Sequence, residues 1–148
     1  MPGDGDFSDM RRGPGAPVRV NEAMIRELVH AFYVKVRADP SLGPIFNRVI
    51  ADGWPEHLAK LCDFWSSVML MTGRFKGAPM RAHAVVPDIE PIHFKRWLQL
   101  FDETAREVCP PEAAALFSEK AAMVGRSLQM GIAVSRGELP PLSAGGPR

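Results

Sequence analysis

Between residues 22 and 134 the apolar positions return every three to four residues, and no useful stretch alternates with the period of a strand. Ile25, Leu28, Val29, Phe32 and Val36 share one helical face behind Asn21, a good N-cap. Asp39-Pro40 ends that helix, and Tyr33 lies at the edge of its stripe. The next stretch, "SLGPIFNRVI", is turn-rich and predicts one or two helical turns. A longer helix should run from Gly53 or Trp54 to Met71, until "TGRFKGAP" breaks it. Pro79 and Pro87 then frame a helix of under three turns that contains His83. Beyond "PDIEP", Phe94, Trp97, Leu98, Phe101, Ala105 and Val108 align as far as Pro110-Pro111, and a last helix covers about 112–134. The pattern predicts an all-α fold of one domain, residues 19–135, without internal repeats. Residues 1–18 and 136–148, rich in Gly and Pro, are expected to be flexible tails.

Read at about 100° per residue, "WPEHLAKLCDFWSSVMLMTG" puts Trp54, Leu61, Phe64, Trp65 and Val68 on one stripe, with His57 among them. Glu56, Lys60, Asp63, Ser66 and Ser67 show that polar positions were open to an imidazole and were not used. The plain explanation is a core histidine bonded to a carbonyl. Zinc fits poorly: no HExxH occurs, and Cys62 lies about 140° around the helix from His57. Nucleophilic hydrolysis would need a cleft and an orienting acid that the pattern does not supply.

Composition narrows the classes further. The chain has 148 residues, 46% of them hydrophobic, enough for one buried core. Its formal charge of +1, without runs of like sign, speaks against nucleic acid and against an anionic membrane surface. No apolar run is long enough to span a membrane and the first residues lack a signal-peptide core, so a cytoplasmic location is expected. Cys62 and Cys109 show neither CxxC nor CxxCH spacing, which argues against thioredoxin-like chemistry and covalent haem. Both are expected to be reduced.

A flat, apolar, metal-bearing ligand would use more of these features. Haem asks for an axial donor, a hydrophobic slot and a few polar groups on the far face. His57 and His83 lie on different helices in apolar surroundings, with Phe46, Leu61, Phe64, Phe94 and Trp97 close in pattern. On the pattern alone, core histidines and haem both remain open.

The runs "FYVKVRADPSLGPIFNRVI", "WPEHLAKLCDFWSSVML", "GAPMRAHAVVPDI" and "HFKRWLQLF" occur in an order that resembles a group III truncated haemoglobin, one of the short bacterial globins, over residues 22–134. The resemblance implies a two-on-two helical sandwich around haem b. It makes His83, in "MRAH", the proximal iron ligand, and Tyr33 and Trp97 the distal hydrogen-bond donors to a bound ligand. His57 becomes the distal histidine, a gate or a sixth iron ligand. Phe46 would pack on the haem with Leu61, Phe64 and Phe94 around it, and Trp65 would be the buried tryptophan beside it. Two positions depart from the pattern. Ala82 stands where a basic residue is common, so Lys60, or Arg81, is expected to meet the haem carboxylates; Phe75 replaces a common tyrosine.

The implied function is reversible binding of O₂, and of NO and CO. NO or peroxide detoxification would be supported by an unnamed reductase. The alternatives are a gas or redox sensor in which His57 binds iron, and a haem-free structural helical domain.

Overall fold

The computed structural model describes residues 13–75, 89–135 and 137. Among the described residues there are five α-helices and no strand: α1 (Glu22–Ala38), α2 (Gly43–Ile50), α3 (Trp54–Leu70), α4 (Pro91–Val108) and α5 (Pro111–Ser135). The expected short helix around His83 and the expected tail 136–148, Gly137 apart, lie outside the described residues.

Local chemistry accounts for most of the helix ends. Asn21 Oδ1 accepts the Met24 N–H at 2.8 Å and starts α1. Asp39 stops it in an extended conformation ahead of Pro40. Its carboxylate then accepts the Ser41 amide (3.0 Å), the Ser41 hydroxyl (2.7 Å) and the Leu42 amide (3.0 Å), which turns the chain into α2. The turn is tight enough that a Cβ on Gly43 would meet the Arg37 carbonyl oxygen at 2.5 Å. Proline occupies the first turn of α2, α3 and α4, where its missing N–H costs nothing. At the end of α3 a non-glycine residue, Met71, takes the left-handed conformation (φ 57°).

The helices form two layers. α1 packs with α3, α4 packs with α5, and α1 lies against α4 to join the pairs. This is the expected two-on-two arrangement. The apolar faces of α1, α4 and α5 meet in one core containing Ile25, Leu28, Phe32, Phe101, Ala105, Phe117 and Ala121. Rings order its centre: Phe101 stacks on Trp65 (5.2 Å, 19°) and on Trp97 (5.9 Å, 21°).

Two sequence expectations need correction. The boundary at residue 18 falls inside a packed segment. The Gly15 amide donates to the Met69 carbonyl at 2.8 Å, a 3₁₀ turn spans Ala16–Val18, and Ala16 is buried. Backbone proximity makes this contact, since a Cβ on Gly13 (φ +81°) would collide with the Met69 backbone. The folded unit therefore begins by Gly13. The buried face of α3 is also rotated from the expected stripe: Trp54, Trp65, Ser66 and Met69 are buried, whereas Leu61, Phe64 and Val68 are only half-buried. The N-terminal segment and α1 explain the rotation, because they cover Met69 and let Ser66 donate to Glu22 at 2.7 Å. An apolar flank of α3 is left partly open.

Candidate functional site

Four helices converge on Tyr33. It sits one residue past Phe32 on α1 and is 4% exposed. Its ring meets Phe32 edge-on at 4.7 Å, Trp54 at 5.7 Å and His57 at 5.8 Å, with Phe46 of α2 at 6.4 Å. Burial pushes the phenol up to about 12, partly offset by a hydrogen bond from Trp97 of α4. Tyr33 therefore stays protonated across the physiological range. The Trp97 indole N–H, which can only donate, lies close enough to the Tyr33 oxygen to lower that value somewhat.

His57 lies one turn into α3, half-buried, with its Nε2 atom buried. Trp54 stands beside it, the two rings 5.5 Å apart and nearly perpendicular. Trp54 is fixed from outside, since its Nε1 donates to Asn47 Oδ1 at 3.2 Å and the Arg37 guanidinium sits 4.7 Å above its ring. The histidine thus belongs to an aromatic enclosure shared with Tyr33.

Beside Trp97 is a small, largely apolar pocket lined by Phe46, Ile89, His93, Phe94, Trp97 and Leu128, with enclosed room of about 10 Å³, the space of a single water. The residues present offer an apolar, aromatic surface with a neutral hydroxyl on one side.

An ion pair sets the relation between the two donor helices. Arg96, next to Trp97, donates through Nε to Asp39 Oδ1 at 2.8 Å across the end of α1. The Asp39 side chain is 3% exposed. Burial opposes its charge, but hydrogen bonds from the Ser41 hydroxyl, the Leu42 amide, Arg96 and the Ser41 amide outweigh it and bring the carboxyl to about 2. Asp39 thus holds α1, the turn into α2 and α4 at one point.

The structure brings together Tyr33, Phe46, His57, Phe94 and Trp97. Leu61 and Phe64 extend the same flank of α3, Phe64 meeting Phe75 at 5.3 Å. Trp65 points into the core against Phe101 and Phe117. Lys60 is exposed and outside the cavity lining. His83 and Arg81 lie outside the described residues. Sequence reasoning named neither Ile89 nor His93 among the site residues. The usable signal was the position of His93 at the third residue of a helix, where a side chain can reach back to the N-cap. Cys62 and Cys109 are free thiols away from the cavity lining. Burial raises both, Cys109 to about 11, which keeps them protonated.

No protein-family model matches the chain. A group 3 truncated haemoglobin of Campylobacter jejuni is 35% identical over 113 residues, which cover 74% of this chain and 89% of that protein. The crystal structure of a group III truncated haemoglobin from Campylobacter jejuni superposes with a TM-score of 0.70 at 36% identity, over 74% of this chain and 89% of that one.

Proposed function

Since the chain belongs to the group III truncated haemoglobins, we propose that it is a cytoplasmic haem b globin that binds O₂ reversibly, and NO and CO at the same iron. Bound haem would supply an iron able to take a diatomic ligand, and His83 would hold that iron as the proximal ligand. Phe46, Leu61, Phe64, Phe94 and Trp97 flank the ring, Trp65 backs it from the core, and Lys60 and Arg81 are candidates for its carboxylates. The half-open apolar flank of α3 is then the surface the cofactor covers.

The observation that carries this reading is the Tyr33 hydroxyl, buried among Phe32, Phe46, Trp54 and His57 and kept protonated by that burial. A buried hydroxyl left without an acceptor costs about 1–3 kcal/mol, which phenylalanine would avoid. In this reading Tyr33 and Trp97 both donate to the bound ligand. A polar ligand such as O₂ gains most from this, which slows its release and favours NO or peroxide turnover over delivery. That turnover draws electrons from a reductase. A second reading, a gas or redox sensor, is favoured by the buried Nε2 of His57, which could swing to the iron as a sixth ligand.

The absorption spectrum of the purified protein tests the proposal. A Soret band that disappears in His83→Ala is expected. No Soret band in the wild type would leave a haem-free helical domain, and a low-spin ligand-free spectrum would support the sensor.

A further inference from the structure

The cavity lining holds a polar group that neither ligand binding nor packing uses. His93 begins α4 as its third residue, and its Nδ1 accepts the Glu90 amide N–H at 2.8 Å. The Glu90 side chain takes the His93 amide in return, closing a reciprocal cap. A ring nitrogen that accepts carries no proton, so the neutral imidazole holds its hydrogen on Nε2. Four of the six lining side chains, Phe46, Ile89, Phe94 and Leu128, are hydrocarbon, which leaves Trp97 and His93 as the two ring N–H groups of the lining. Trp97 is buried, whereas His93 is half-buried. Its neighbours Glu90 and Ile92 are exposed, which puts the His93 ring at the rim of the pocket.

We propose that His93 is the carboxylate-recognition residue of this pocket, donating from Nε2 to an acidic edge of the flat apolar cofactor. The inference rests on the haem reading above and deepens it, since haem carries two carboxylates on an otherwise apolar ring. A carboxylate drawn to an apolar rim without a donor would be strongly disfavoured, so a fixed N–H there both orients the ring and rejects uncharged analogues. The cap contributes the rigidity: the Glu90 amide sets the tautomer and the ring plane before any ligand arrives. Lys60, the sequence-based candidate, is exposed and does not line the cavity.

The test compares acid and ester forms of one ring. Apo-protein is titrated with iron-free protoporphyrin IX and with its dimethyl ester, following porphyrin absorbance, so that iron ligation plays no part. The wild type is expected to prefer the diacid by about tenfold, the scale of a hydrogen bond to a charged group. His93→Phe should abolish the preference. His93→Glu keeps an acceptor for the Glu90 amide, as a capping box normally does, while setting a carboxylate against the ligand's own, so the preference should reverse with far-UV circular dichroism unchanged. An equal diacid preference in all three proteins would overturn the role of His93 and leave the haem reading standing. Failure of the wild type to bind either porphyrin would overturn both.

Discussion

Replacing Asp39 with asparagine tests the junction between the helices that carry Tyr33 and Trp97. In the folded protein the carboxyl titrates at about 2, against 3.8 for a solvated aspartate. The gap of nearly two units corresponds to about 2 kcal/mol of stability carried by the ionised form. The sign follows from a lowered value. The stabilisation is complete above about pH 5, where both folded and unfolded forms are ionised, and it is lost as pH falls toward 2. Urea unfolding of wild type and Asp39→Asn should be compared at pH 7, 5, 3 and 2.5. Taking the difference at each pH cancels the contribution of the other carboxylates. A plateau of about 2 kcal/mol above pH 5, shrinking below pH 4 to a small pH-independent residue from the altered hydrogen bonds, is expected. A difference that stays flat from pH 7 to 2.5, or one under about 0.5 kcal/mol throughout, would refute the reasoning.

Tyr33→Phe should raise the O₂ dissociation rate about tenfold, the loss of one hydrogen bond of about 1.4 kcal/mol, and leave CO dissociation nearly unchanged. Trp97→Phe should likewise raise O₂ dissociation and change CO dissociation far less; an equal rise for both gases in stopped-flow measurements would mean repacking of the pocket instead. His57→Ala should accelerate CO association with little loss of haem, since it removes one ring from the enclosure with Tyr33 and Trp54. An unchanged association rate across pH and redox state would remove the gating role.

The helices were legible in the sequence because their signals are local. Asn21, Asp39-Pro40 and the prolines of the first turns act within a few residues, and the stripes of α1, α4 and α5 follow directly from helical spacing. What stayed hidden depends on distance or on backbone. The segment at Gly13 and Gly15 packs because it lacks side chains, so it has no apolar period to detect. The Asp39–Arg96 pair joins residues 57 positions apart, and nothing in either neighbourhood announces it. The rotation of α3 came from the same source: Met69 and Ser66 are buried by the overlooked segment and by the end of α1, not by the core that its stripe suggested. Tyr33, Phe46, His57, Phe94 and Trp97 could be named in advance through the family resemblance. Their assembly into one enclosure required the crossing of α1 with α3 and α4.

The arrangement of the aromatic side chains has an optical consequence. The chain has three tryptophans and one tyrosine, and all four are buried within one network of rings. Trp54 and Trp97 touch Tyr33, while Trp65 reaches Trp97 through the stacked ring of Phe101. No fifth tyrosine or tryptophan sits elsewhere to dilute the signal. Near-ultraviolet circular dichroism and intrinsic emission of the haem-free protein therefore report on the packing of the distal enclosure and of the core beside it. Far-ultraviolet dichroism follows the helices separately, so the two wavelength ranges can tell a loosened pocket from an unfolded chain without any label.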